Sequence, residues 1–185
     1  MGRLPSNQYG VMVVDLPWPK LIDDYNSVSK AITEFERLPL KELAAEKCAL
    51  WVWAPNTHIH LAVNLIDTWQ FSYRTMFTYV SAGIRTGPKR GNVDPLGLFG
   101  KTEQILLATR GNPLFSNLQQ FTAFCSQGRR SNSFSRPLEF YLVVEKQCPT
   151  IRRIAEFYGH GPTRVMWDRL DHNGSIIVDV RHVAS

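Results

Sequence analysis

Residues 11–15 read Val-Met-Val-Val-Asp, and Leu-Pro-Trp-Pro follows at once. Four consecutive apolar residues, three of them valine, cannot alternate between a core and a wet face. They fit a strand covered on both sides, the condition of a central strand in a parallel sheet. The prolines at 17 and 19 cannot continue a strand ladder, so Asp15 stands at the end of a buried strand. In an open α/β sheet, ligands gather beyond those strand ends. A carboxylate there, beside the Leu16 carbonyl on a backbone stiffened by Pro17 and the flat indole of Trp18, is equipped to hold a planar base with an exocyclic amine. The amine's lone pair is delocalised into its ring, which makes it a poor nucleophile. Accepting both of its N–H groups, one on Asp15 and one on the Leu16 carbonyl, favours the tetrahedral nitrogen of a methyl-transfer transition state. The same tetrapeptide also reads as a helix-capping aspartate followed by a core tryptophan.

The rest of the chain supplies strands alternating with helices. Residues 48–54 (CALWVWA) form a second buried run, 71–80 alternate with strand period, and 103–111 and 119–130 read as further strands. Residues 57–70 carry Ile59, Ala62, Val63, Ile66 and Trp69 at helical spacing. Residues 136–148 open with a proline in the first turn of a helix, and 150–162 form a strand ending in a glycine-bearing turn before two final strands close the sheet. Residues 19–30 read as a loop, and 32–46 as a helix broken at Pro39. The alternation predicts an α/β fold with a mostly parallel sheet and helices on both faces. At 185 residues the chain has the length of one domain, taken as 1–185.

Lys and Arg exceed Asp and Glu to give a formal net charge of +5. Part of the excess is concentrated in two loop-like stretches, IRTGPKRG (84–91) and QGRRSNSFSR (127–136). Arg85, Lys89, Arg90, Arg129 and Arg130 are placed to neutralise phosphates, contacts that set position and not sequence, so nucleic acid is the expected partner. The three cysteines are far apart and lack metal-ligand spacing, which argues against a disulfide framework and a zinc site. Cys48 and Cys125 read as core residues. His58 and His60, two apart on a helix, face different directions and make no metal pair. There is no GxSxG elbow and no phosphate-binding glycine loop. The first ten residues have no apolar core of signal-peptide length and no window approaches a membrane span, so a soluble, cytoplasmic protein is expected.

Five stretches occur in the order of one known family: DLPW at 15–18, LWVWAPN at 50–56, GLFGKTEQILLATRGNP at 97–113, SRPLEFYLVVEK at 135–146, and RIAEFYGHGPTRVMWDRLDHN at 153–173. The chain resembles the adenine-N(6) methyltransferases related to the catalytic subunit of the messenger-RNA N(6)-adenosine methyltransferase, which include small phage and bacterial DNA enzymes. The resemblance implies a Rossmann-like methyltransferase fold with a permuted order of motifs, S-adenosylmethionine as cofactor, and a bacterial or phage-infected cell as the setting. It makes Asp15, Pro17 and Trp18 the match to an Asp-Pro-Pro-Trp tetrad. Leu16 departs from it but keeps the backbone carbonyl. Tyr25 is the nearest match to an aromatic that lies against the acceptor base. Arg136, followed by proline, matches the contact to the cofactor carboxylate. Glu156, Tyr158, Gly159 and His160 match the cofactor-binding strand and turn, with His160 in place of an arginine. Trp167 matches a tryptophan that relatives carry before a Gly-Asn-Glu/Gln turn, and His172 and Asn173 occupy imperfectly the polar pair that holds ribose and adenine; Asp15 belongs to the cofactor site as well.

The resemblance thus implies transfer of a methyl group to adenine in nucleic acid, DNA in preference to RNA. A homodimer or accessory subunit is compatible with so small a domain. The departures at Leu16, His160 and His172 fit the alternative of a degenerate nucleic-acid-binding subunit, an RNA enzyme is a second alternative, and cytosine N(4) a third target for the same trap. Tyr79 reads as core, and Lys101 and Glu103 as braces for the loops.

Overall fold

The computed structural model describes residues 9–19, 24–81, 102–115, 123–126, 136–147, 153–159 and 164–179. Among the described residues eight strands form one sheet: β1 (Tyr9–Val14), β2 (Ala44–Pro55), β3 (Ser72–Ser81), β4 (Thr102–Arg110), β5 (Ala123–Ser126), β6 (Ile154–Phe157), β7 (Trp167–Leu170) and β8 (Ile176–Asp179), in the spatial order β5-β3-β4-β2-β1-β6-β7-β8. β1 is parallel to β2 and β6, β6 to β7, and β3 to β5. β4 runs against both β2 and β3, and β8 against β7. Since β2 and β3 both oppose β4, six of the eight strands point one way and only β4 and β8 are reversed. β1 lies between β2 and β6, and from it the strand order runs outward on both sides, the switch point where ligand crevices open in such sheets.

The unbroken apolar runs of β1 and β2 are explained by the two cores they separate. Met12, Val14, Leu50, Val52 and Ala54 face one core, closed by α1 (Tyr25–Glu36), α2 (Leu40–Leu43) and α3 (Ile59–Thr68) through Phe35, Leu40, Leu43, Ala62, Leu65 and Ile66. Val11, Val13, Ala49, Trp51 and Trp53 face the other, closed by α4 (Leu138–Gln147) through Phe140, Tyr141 and Val144. Helices therefore cover both faces, and the arrangement is the Rossmann-like α/β sandwich expected. Cys48 and Tyr79 are core residues, as read from the sequence. Among the described residues no helix is long and apolar enough to cross a membrane.

Two expectations are corrected. The stretch 19–30 is not all loop, because α1 begins at Tyr25. Asp24 is its N-cap, accepting the backbone N–H groups of Asn26 and Ser27 at 2.9 and 3.1 Å and the Ser27 hydroxyl at 2.8 Å. The helix read over 32–46 ends at Glu36, α2 is a single turn, and Ala44–Lys47 belong to β2. Helical composition there is overridden by pairing, since Ala44 lies opposite Tyr9 of β1.

α4 is pinned to β7 by a polar cluster. Glu145 accepts two hydrogen bonds from Arg164, at 2.8 and 2.9 Å, and one from the Trp167 indole at 2.9 Å. Burial pushes the Glu145 carboxyl up, but the hydrogen bonds of Arg164 and Trp167 and then the Arg164 charge outweigh it and hold the group below its ordinary 4.5. A depressed carboxylate contributes stability above its unfolded value and loses it as the pH falls through the folded one. The difference in melting temperature between wild type and Glu145→Gln should therefore be largest near neutrality and shrink as the pH is taken below 4.5. A difference that grows on acidification would exclude this account.

Candidate active site

The strand register places one row of residues along a single edge of the sheet. Val14, Val52, Phe157 and Leu170 are partners across β2-β1-β6-β7. The residues just beyond them, Trp53, Asp15, Tyr158 and Asp171, are therefore neighbours at the carboxyl ends of parallel strands. β4 is reversed, so its first residues reach the same edge, and Glu103 lies opposite Pro55. Arg136, immediately before Pro137 and α4, joins them from above the second core.

Arg136 is the centre of the cluster. Its Nε and Nη2 donate to the two oxygens of Asp15 at 2.7 and 2.5 Å, and its Nη1 donates to Glu103. The guanidinium lies over the Trp53 ring, 4.1 Å from the ring centroid. Burial alone would push Arg136 down, but the hydrogen bonds and charges of Asp15 and Glu103 prevail and hold it above its ordinary value. Asp15 is only 6% exposed, and its buried carboxylate is paired with this guanidinium. A carboxylate offers about four acceptor positions, of which Arg136 uses two.

Leu16 turns its side chain into the first core and its carbonyl accepts the Trp18 N–H at 2.9 Å, closing a tight turn around Pro17. Among the described residues no second donor reaches that carbonyl, which has another lone pair to offer. The Trp18 indole donates to the Trp53 carbonyl at 2.8 Å and packs against Phe35 and His58, with ring centroids 5.9 and 5.5 Å apart. Burial, and to a smaller degree the charge of His60, push the His58 imidazole down. His58 is buried and His60 exposed, so the two do face apart.

Glu103, read from the sequence as a brace for the loops, accepts a hydrogen bond from Arg136 at this edge. Asn56, from the LWVWAPN stretch, donates to the Thr102 hydroxyl and accepts from Gln104, each at 2.8 Å, and so flanks Glu103 on both sides. Glu156 is buried, accepting the Tyr141 hydroxyl at 3.0 Å and Arg169 at 3.0 and 3.3 Å. Burial pushes its carboxyl up against the opposing pull of Arg169, and the charge of Asp15 pushes the same way as burial. Tyr141 is pushed far up, first by burial and then by the Glu156 charge, so it stays a hydrogen-bond donor. Tyr158 turns the chain in the left-handed region, φ +57°, and brings Gly159 under this carboxyl. A Cβ on Gly159 would lie 1.9 Å from the Glu156 carboxyl carbon.

Of the residues read from the sequence, Asp15, Leu16, Pro17, Trp18, Arg136, Glu156, Tyr158 and Gly159 thus share one edge. His172 and Asn173 lie beyond β7 on the same edge, in the exposed turn to β8, where the Asn173 amide and His172 ring are 3.0 Å apart. Tyr25 opens α1 and is 84% exposed, with its ring in solvent. Lys101, His160, Arg85, Lys89, Arg90, Arg129 and Arg130 lie outside the described residues. Sequence reading missed Trp53, Tyr141 and Arg169. Trp53 and Arg136 carry no shared local motif, being 83 positions apart (136 − 53), although Arg169 alternates with the buried Asp168 and Leu170 in a way that marks a second polar contributor.

No curated protein matches the chain. The family model for MT-A70 matches residues 9–171, from the first residue of β1 to the turn after β7. A carboxylate-Leu-Pro-Trp turn at the switch point, an arginine clamp at the head of α4 and a match running through all but the last strand lead to one conclusion: the chain belongs to the MT-A70 family, that of the catalytic subunit of mRNA N6-adenosine methyltransferase, whose members are S-adenosylmethionine-dependent methyltransferases.

Proposed function

We propose that the protein transfers a methyl group to the 6-amino group of adenine in nucleic acid, DNA in preference to RNA. The observation that carries the reading is Asp15: a carboxylate at the end of the central strand, with acceptor positions left beyond those Arg136 uses, beside a carbonyl and an indole.

The residues present fit the cofactor. S-adenosylmethionine ends in a carboxylate and an ammonium, and the edge of the sheet offers a guanidinium (Arg136) for the first and two carboxylates (Asp15, Glu103) for the second. When bound, it supplies an electrophilic methyl on a sulfonium. The chain's own part is to prepare the nucleophile. Asp15 accepts one N–H of the adenine amine and the Leu16 carbonyl the other, which draws the nitrogen toward tetrahedral geometry. As the nitrogen becomes cationic, the Asp15 charge stabilises it, and a carboxylate oxygen is the acceptor for the proton it sheds. Trp18, held by the Trp53 carbonyl, Phe35 and His58, offers the flat surface that frames the base. The base enters flipped or single-stranded.

The basic stretches 84–91 and 127–136 support a polyanionic substrate, and the resemblance to small phage and bacterial enzymes favours DNA. Incubation with labelled S-adenosylmethionine and adenine-containing DNA or RNA, followed by mass spectrometry of the nucleosides, tests the whole reading. N6-methyladenine from DNA in excess over RNA is the expected product. Folded, cofactor-binding protein that methylates neither polymer would defeat the proposal, and N4-methylcytosine would correct the target.

A further inference from the structure

The buried tryptophan at the end of β2 touches both halves of the site. The Arg136 guanidinium lies over its ring, with Cζ 4.1 Å from the centroid, and its backbone carbonyl holds the Trp18 indole at 2.8 Å. The ring is itself immobile: it is fully buried, wedged edge-to-face against Phe140 at 4.9 Å and Tyr79 at 5.6 Å between centroids. A guanidinium stacked on an indole loses the freedom to rotate out of that plane. With its Cζ held over the ring, the fork keeps three of its donors on Asp15 and Glu103.

We infer that Trp53 is a positioning residue that orients Arg136, and so makes arginine, not lysine, the effective cation for the cofactor carboxylate. A lysine ammonium is a point charge without a plane, so it would gain less from the indole and could not present a fork to two partners at once. The indole face also adds attraction of its own to the cation in a water-poor setting. The inference rests on the reading of Arg136 given under the proposed function.

Calorimetric titration of S-adenosylmethionine into the full chain tests it with variants at both positions. Arg136→Ala should weaken binding strongly. Trp53→Leu, apolar but without a π face, should weaken it by about 5-fold, and Trp53→Phe by about half as much on a logarithmic scale. In an Arg136→Lys background the Trp53→Leu change should add less than about 2-fold, since the partner that needs the plane is gone. The turnover number at saturating cofactor should fall less than the affinity. Circular dichroism identifies variants that fold, and Trp53→Phe supplies the comparison if the leucine variant does not. Unchanged affinity in the Trp53 variants, or an equal loss in the arginine and lysine backgrounds, overturns the inference. Unchanged affinity in Arg136→Ala overturns instead the assignment of Arg136 to the cofactor.

Discussion

Asp15→Asn should lower the turnover number by about 10³-fold at saturating cofactor while the protein remains folded. The exchange is nearly isosteric and Arg136 keeps Glu103 as a charged partner, although the amide NH2 must turn away from one of the two Arg136 donors that Asp15 accepts, a local adjustment the buried sheet can hold. What is lost is chemical. An amide carries no charge to offset the cationic nitrogen, accepts no proton, and turns one of its two faces into a donor that opposes the amine. The loss should appear in the rate of transfer measured by nucleoside mass spectrometry, with the far-ultraviolet circular dichroism spectrum unchanged. Residual turnover within about 10-fold of wild type would mean that the carboxylate does not act on the amine, since even one preorganised partner is ordinarily worth more.

The largest effect on stability is expected from Gly111→Ala. Gly111 follows β4 with φ +60°, a region that side chains disfavour by about 1 kcal/mol. In addition, a Cβ there would lie 2.5 Å from the Glu46 carbonyl oxygen and 3.5 Å from the Lys47 Cα, both backbone atoms of β2. Side chains can swing away from a clash, whereas these atoms cannot shift without disturbing the pairing of β2 with β4 that begins at Cys48 and Arg110. Together the two terms suggest a loss of about 3 kcal/mol and a melting temperature lower by roughly 10 °C. A change within about 2 °C would show that the turn relaxes freely. The glycine belongs to the 97–113 stretch that helped to place the chain in its family, and the structure supplies a physical reason for it: nothing larger fits.

How legible the site was in the sequence depended on the kind of contact involved. Asp15, Pro17 and Trp18 are adjacent, and their placement at a strand end follows from a run of valines too apolar to have a wet face. The helix-opening Arg136-Pro137 pair is likewise a local signal. By contrast, nothing local announces that Arg136 would grip Asp15, 121 residues away, or lie on Trp53. The start of β2 is hidden for a related reason. Ala44–Lys47 has helical composition, and only the neighbouring strand, an object outside the segment, makes it extended. The start of α1 is legible in principle, because Asp24 with Ser27 three residues on is a capping pattern, although the segment shows no apolar periodicity and so reads as a loop.

By itself, the chain's order of apolar runs determined that a buried sheet with helices on both faces would form and that a carboxylate would stand at its central strand end, because periodicity and backbone chemistry act over a few residues. Only the tertiary structure decided that β4 would run backwards, and with it that Glu103 would arrive at the same edge as Asp15 to share one arginine. Strand direction is settled by which surfaces can be buried together, a property of the whole packed chain and of no segment in it.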